Sequence, residues 1–435
     1  MQTLLANVAS LKEWRRRYGP GFDALLRDYE SRDRWTREEL DAFSDAQRAL
    51  ALARAARTEH YQKVFRRFGA QWTDFVQREA FSQLPVTTKQ ELRENPESFR
   101  PRGQLPTDRI IGSSGTTGVP LKLLKDAEST QAHWAVWWRY RRWHGLDLDT
   151  PYALLGGRRI MRTGQGSPYW LHNRVGRETR YSTHHISRAT APDYVGQLNS
   201  EGTTWIHGLS SSIANLARFI VEDDLRVTAR VRVVSLGAEG LLPWQADVIE
   251  QAFGPRPIHH YGLTEAAANA SICPDGSLHV DEDFGYVELV GSPDEPQRIV
   301  GTPFTNEATA LLRYDTGDLA RALPRSCSCG RATWLLDGID GRSDETIELP
   351  DGRLVGPRWA FRENLNVREA QIVQHSDLSL TVRVTPGPAW GEHDESAVVN
   401  ALRIYVGEDI PIRVQTVESV PKTASGKLRL VVREG

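Results

Sequence analysis

Ser113-Ser114-Gly115-Thr116-Thr117-Gly118, six residues of glycine and hydroxyl side chains, is the stretch on which the reading of this 435-residue chain turns. Glycines let a backbone turn sharply and present its N–H groups, and hydroxyls donate to oxygens that carry concentrated negative charge. The segment reads as a cradle for phosphate, with Lys122, four residues after Gly118, adding a positive charge nearby. In isolation a serine- and glycine-rich surface loop would look the same. The segment lacks the Gly-Lys-Ser/Thr ending of a P-loop, and Gly164-Gln165-Gly166 lacks the third glycine of a dinucleotide fingerprint, so neither of those nucleotide-binding folds is supported.

Outward from this loop the chain divides into three stretches. Residues 1–105 read as the helical first part of a large domain: Leu40, Phe43, Ala46 and Leu50 recur three and four apart, as do Tyr61, Val64 and Phe65. Within it, Leu84-Pro85-Val86-Thr87-Thr88-Lys89-Gln90-Glu91-Leu92 reads as a proline-marked turn and a helix start capped by Thr87 or Thr88. Residues 106–343 alternate short apolar runs (Tyr152 to Leu155, Thr204 to Ile206, Val231 to Leu236, Pro257 to Ile258) with helical patterns, which predicts an α/β core that binds nucleotide and substrate. A helix over 127–143 carries Trp134, Trp137, Trp138 and Trp143, either as core or as the wall of an aromatic pocket. Residues 344–435 form an extended pair about Pro350-Asp351-Gly352-Arg353, a strand over 379–384, a helix over 395–406 and a strand over 412–417, a small α+β lid domain.

A length of 435 residues exceeds what one core usually organises, so at least two domains are expected. The hydrophobic share of 40% and charged share of 25% are those of a globular protein, and no apolar run approaches the roughly 20 residues that cross a bilayer. The first residues, MQTLLANVASLKEWRRR, show no signal peptide, which makes a cytoplasmic location with no membrane partner the expectation. A formal charge of −2 argues against a nucleic-acid partner, since such proteins usually present a basic face. Only seven of the 54 basic residues are lysines (Lys12, Lys63, Lys89, Lys122, Lys125, Lys422 and Lys427), so a lysine here is less often filler.

Further motifs follow in order: Tyr261-Gly262-Leu263-Thr264-Glu265, Tyr314-Asp315-Thr316-Gly317-Asp318, Gly341-Arg342-Ser343-Asp344 and Ser425-Gly426-Lys427. A Glu beside a Thr after a tight turn offers a hard cation such as Mg²⁺ a carboxylate ligand and a phosphate a donor. With Ser113 to Lys122 these motifs span residues 113–427 and resemble those of adenylate-forming enzymes, with particular likeness to the phenylacetate-coenzyme A ligase branch, the Leu84 to Leu92 segment included. The resemblance implies ATP-dependent, AMP-forming activation of a carboxylic acid. It implies that the Ser113 to Gly118 loop holds the triphosphate, that Thr264 contacts the α-phosphate, that Glu265 binds magnesium, and that Tyr261, after which Gly262 turns the chain, lies along the adenine. Asp318 would accept both ribose hydroxyls, Gly237-Ala238-Glu239 would wall the adenine site, and Arg342 would touch ribose or phosphate. Lys427 would bridge the substrate carboxylate and the α-phosphate, and Asp344 would be the hinge about which the small domain rotates.

Cys273, His279, Cys327 and Cys329 use all three cysteines of the chain, and three thiolates with one imidazole make the donor set of a closed structural zinc site. Similar patterns occur in the phenylacetate ligase branch; the alternative is three free thiols in a reducing compartment. His184-His185, His207 and His259-His260 could orient a substrate but equally suit core or surface. The expected partners are a small, in this branch often aromatic, carboxylic acid, ATP with Mg²⁺, and coenzyme A as acyl acceptor. An amine or a carrier protein is the alternative acceptor, and a zinc-stabilised binding protein without turnover the alternative function. The sequence leaves the oligomeric state open, a homodimer included.

Overall fold

The computed structural model describes residues 2–112, 121–158, 160–162, 165–342, 347–350, 354–355, 366–387, 389–421 and 428–434. They fall into two compact units. The first comprises Met1–Thr150, Asn173–Gly176 and His260–Ile339, the second Pro151–His172, Arg177–His259 and Asp340–Gly435.

The first unit opens with helices. The Arg37–Ala55 helix starts on a capping box of Thr36 and Glu39, and the Glu59–Phe68 helix is capped by Thr58 and ended by left-handed Gly69 at φ 62°. The face that the first of these buries is not the apolar stripe read from the sequence. Leu40, Ser44, Arg48, Ala51, Leu52 and Ala55 are buried, whereas Leu50 is 56% exposed. Arg48 makes this possible: its guanidinium donates to Asp45 at 2.9 Å and to the Val76 carbonyl at 2.9 Å, so the stem can pack inward. Leu52 and Ala55 join Tyr61, Phe65, Phe81, Leu92, Phe99, Leu121, Leu311 and Tyr314 in one core, where each large side chain contributes about 1.5–3 kcal/mol.

Between the helices and the sheet of this unit runs an antiparallel hairpin, Arg109–Gly112 with Lys122–Lys125, in which Gly112 faces Lys122. The hairpin brackets the Ser113 to Gly118 segment, which lies outside the described residues. The Ala127–Trp143 helix follows, capped by the Asp126 carboxylate on the Ser129 N–H at 2.7 Å. Its tryptophans serve packing and hydrogen bonding: Trp138 donates to Tyr18 at 3.0 Å, Trp143 to Asp33 at 2.6 Å and Trp137 to Asn269 at 3.0 Å, while Trp134 lies under the Arg17 guanidinium. Arg139 on the same helix is buried against Asp281 and Asp283, both at 2.7 Å, which fixes the helix to the sheet.

That sheet runs in the order Ile258–Gly262, Asn269–Ile272, Leu278–Val280, Leu335–Arg342, Tyr314–Leu323, Gln297–Pro303 and Gly285–Val290. Strand–helix alternation thus ends near 262, and residues 269–342 build strand upon strand. The sequence reading did not separate the two regimes, because short strands joined by tight turns leave the same apolar runs as buried α/β strands.

The second unit holds a parallel sheet of Glu178–Tyr181, Tyr152–Leu155, Trp205–Gly208 and Val233–Leu236, the last paired with Ile258 and His259. The Ala191–Ser200, Ser210–Glu222 and Pro243–Phe253 helices contribute Tyr194, Leu198, Ile213, Leu216 and Ile249 to its core. Gly208 is fixed by space: a Cβ there would lie 2.2 Å from the Leu155 carbonyl oxygen. The chain's last part is a separate sheet, Ile412–Thr416, Leu380–Pro386, Val367–His375 and Val431–Glu434 in that order, whose core includes Val398, Leu402 and Val406 of the Glu392–Val406 helix. The short antiparallel pair Ile347–Glu348 and Leu354–Val355 precedes it. The α/β body and α+β carboxy-terminal part have the classes read from the sequence.

Candidate active site and metal centre

Tyr261 and Gly262 end a strand, and the chain then turns through Leu263–Ala266, closed by the Ala266 N–H on the Leu263 carbonyl at 3.0 Å. Gly262 is required for clearance, since a Cβ there would meet Asn269 Oδ1 at 2.7 Å and the Trp137 indole at 3.3 Å. Thr264 is half-buried in the turn, and Ala266 sits at φ 58°, strained for a residue with a Cβ. Gly301 and Gly285 leave room for the next step: a Cβ on them would lie 2.2 Å and 2.9 Å from the Ala267 carbonyl oxygen. The turn is therefore pressed into the sheet, and Glu265 is carried in with it, 4% exposed.

Tyr314 and Asp318 come from the facing motif, the strand Tyr314–Leu323. Its Gly317 turns at φ 75°, and Thr316 receives the Asp318 N–H at 3.1 Å while donating to the Ile299 carbonyl at 2.9 Å. The two motifs are tied reciprocally. Tyr261 donates to Asp318 Oδ2 at 2.7 Å, and Tyr314 donates to Glu265 Oε1 at 2.9 Å. Burial and the Asp318 carboxylate push the Tyr261 phenol well above its ordinary value, so it stays a donor.

The proline-marked segment supplies a third component. Thr88, not Thr87, caps the Lys89–Glu94 helix, in a capping box with Glu91. Thr87 is buried and bridges to Tyr314 in parallel, its N–H on the Arg313 carbonyl and its carbonyl on the Asp315 N–H, both at 2.9 Å. Arg313, at φ 47°, donates to the Ser82 and Leu84 carbonyls and to Glu288, which locks the turn that delivers this segment. Lys89 is thereby placed with its ammonium 3.8 Å from Glu265. Sequence alone gives Lys89 no role, because its place two residues after a threonine paired to the Tyr314 strand depends on the register of that pairing.

In the second unit, Gly237-Ala238-Glu239 follows the Val233–Leu236 strand at the carboxyl end of the parallel sheet, where ligands of such sheets bind. Ala238 sits at φ 67°. Glu239 accepts from the Ser211 N–H at 3.0 Å and from the Ser210 and Ser211 hydroxyls at 3.2 Å, and so caps a helix whose own preceding residue, Leu209, cannot. His207 is held through Nδ1 by the Ser235 hydroxyl at 2.9 Å. Lys122 is exposed on the hairpin. Ser113, Ser114, Gly115, Thr116, Thr117, Gly118, Asp344 and Lys427 lie outside the described residues, and Arg342 is described only as backbone at the end of its strand.

The cysteines and one histidine converge. The donor atoms of Cys273, His279, Cys327 and Cys329 all lie within 4.8 Å of one another. Cys273 and Cys327 sulfurs are 3.6 Å apart and Cys329 Sγ is 3.3 Å from His279 Nε2, near the ~3.8 Å expected between donors of a tetrahedral zinc thiolate shell. His279 Nδ1 lies 2.9 Å from the Thr333 hydroxyl, an outer contact that leaves Nε2 for a metal. Burial, then Arg331, lowers His279 to about 4, so the ring is neutral, as a ligand must be. Left-handed Gly330, φ 81°, folds its N–H back onto the Cys327 carbonyl and lets the two sulfurs of Cys-Ser-Cys point one way.

Comparison with known proteins agrees with this architecture. Residues 358–434 match the model of the CapK C-terminal domain. Protein CapK of Staphylococcus aureus is 22% identical over 366 residues, 81% of this chain and 80% of CapK. The phenylacetate-coenzyme A ligase of Aromatoleum evansii is 24% identical over 442 residues, 90% of this chain and 95% of that enzyme. Among solved structures, 2-hydroxyisobutyryl-CoA ligase in the postadenylation state with 2-HIB-AMP superposes with a TM-score of 0.71 at 17% identity, over 93% of this chain and 91% of that one. The chain thus has the fold of 2-hydroxyisobutyryl-CoA ligase and is similar along most of its length to CapK and to a phenylacetate-coenzyme A ligase.

Proposed function

We propose that the chain joins a carboxylic acid to AMP at the expense of Mg-ATP and then passes the acyl group to coenzyme A. A carboxylate oxygen attacks the α-phosphorus, the bond to the bridging oxygen breaks, and pyrophosphate leaves; the coenzyme A thiol then attacks the acyl carbon and AMP departs. The observation that carries this reading is the reciprocal pairing of Tyr261 with Asp318 and Tyr314 with Glu265, which presents two acids from separate motifs on rigid backbone. Asp318, with two acceptor oxygens, suits the two ribose hydroxyls. Glu265 suits Mg²⁺, and Thr264 beside it the α-phosphate. The Ser113 to Gly118 loop and Lys122 hold the pyrophosphate end, Tyr261 and Gly237-Ala238-Glu239 the adenine, and Arg342 the ribose or phosphate. Lys427 adds charge at the α-phosphate as it becomes more negative, and rotation about Asp344 admits the thiol.

Coenzyme A as acceptor is supported by relatives named for it, the phenylacetate-coenzyme A ligase of Aromatoleum evansii and 2-hydroxyisobutyryl-CoA ligase. Cys273, His279, Cys327 and Cys329 hold a structural Zn²⁺ with no open position for chemistry. Lys427→Ala tests the reading: ATP–pyrophosphate exchange should fall at least about 100-fold while ATP binding persists. Undiminished exchange would remove Lys427 from the reaction.

A further inference from the structure

One cluster in the first unit has no part in that reading. Lys125, the last residue of the Lys122–Lys125 strand, is 3% exposed, and its ammonium lies 3.2 Å from His133 Nδ1. His133, 6% exposed on the Ala127–Trp143 helix, packs its ring 4.2 Å from Trp137 and 5.3 Å from Phe284. Trp137 in turn stands 5.0 Å from His260, the residue before Tyr261. The cluster therefore abuts the strand that leads into Thr264 and Glu265.

A buried ammonium normally has a carboxylate on it. Lys125 has none within ion-pair distance among the described residues; its hydrogen bond goes to an imidazole. The neighbouring Asp126 carboxylate is committed to the Ser129 and Glu307 N–H groups. Burial, with Lys125 beside it, holds His133 neutral, whereas Lys125, lowered by burial to about 8, is still charged at neutral pH. With Lys125 donating to Nδ1, the His133 proton sits on Nε2, and that buried N–H has no acceptor among the described residues. Asp126 and Glu265 act on the Lys125 ammonium only from beyond ion-pair distance, so among the described residues one cation and one N–H donor are buried side by side with no carboxylate in contact.

We propose that Lys125 and His133 bind a second carboxylate on the acid substrate, so that the enzyme activates one end of a dicarboxylic acid. This rests on the acid-activating function proposed above. A carboxylate offers acceptors to both donors and neutralises the one buried charge, which a hydroxyl would not. Trp137 and Phe284 are the aromatic side chains packed against the His133 ring. His133 stays neutral, so the anion meets one cation and a directional N–H.

The test uses two matched pairs, glutarate with pentanoate and 4-carboxyphenylacetate with phenylacetate, on the full chain. Hydroxamate formation with Mg-ATP should favour at least one diacid over its monoacid partner by more than about 10-fold in kcat/KM, and Lys125→Met should bring that ratio to within about twofold. His133→Gln, which keeps a donor, should retain most of the preference. Titration calorimetry without ATP separates the two claims: diacid binding that Lys125→Met abolishes supports the anion site even if no hydroxamate forms, in which case the acid-activating function fails instead. A wild type that binds neither diacid, or a Lys125→Met enzyme with the ratio unchanged, overturns the proposal.

Discussion

Lys125→Met should make the protein more stable, and the size of the gain follows from the burial of one charge. Lys125 falls from its ordinary value of 10.5 to about 8 because burial penalises the ammonium. That gap is a folding cost of about 3 kcal/mol, carried in full below pH 8. The unfolded chain binds more protons than the native one between about 8 and 10.5, so native stability rises with pH across that window and the cost fades. Methionine fills nearly the same volume without charge but forfeits the hydrogen bond to His133, worth about 1 kcal/mol. The net expectation at pH 7 is a gain of about 2 kcal/mol, or roughly 4–8 °C in Tm for a unit of this size. Thermal melts of both proteins at pH 7 and pH 10, without substrate, check it: the difference should shrink at the higher pH. A less stable Lys125→Met protein at pH 7, or a difference that does not change with pH, would refute the reasoning.

Two further outcomes follow from the geometry. Purified protein should contain close to one zinc per chain by elemental analysis, and Cys327→Ser or prolonged chelation should lower both zinc content and melting temperature; metal-free protein of undiminished stability would leave the four donors as free thiols and a histidine. Gly301→Ala would set a Cβ 2.2 Å from the Ala267 carbonyl and should cost about 2 kcal/mol or more in urea unfolding, because backbone rather than a mobile side chain must move.

What the sequence revealed and what it hid follow from how local each feature is. Tyr152–Leu155 and Ile412–Thr416 were readable because an apolar run bounded by turn residues specifies a short strand by itself. The four metal donors were legible from residue type alone, and the structure brings them within 4.8 Å. The Arg37–Ala55 helix was legible as a helix, but its buried face was not, since an arginine that finds partners 3 and 28 residues away replaces apolar positions. The reciprocal tyrosine pairs join residues 57 and 49 apart, which no local pattern encodes. Lys125 and His133 were hidden for a different reason. They lie eight residues apart, across a strand-to-helix junction, and only burial distinguishes them from a solvated pair.

The central claim is that carboxylate, not water, receives the AMP. The direct measurement is AMP and pyrophosphate formed from Mg-ATP with and without a panel of mono- and dicarboxylic acids, with coenzyme A withheld and then added. The account predicts pyrophosphate release only when an acid is present, trapping of the acyl group as hydroxamate, and a thioester with stoichiometric AMP once coenzyme A is supplied. Pyrophosphate release independent of any acid, or none with every acid tested while ATP still binds, would contradict it.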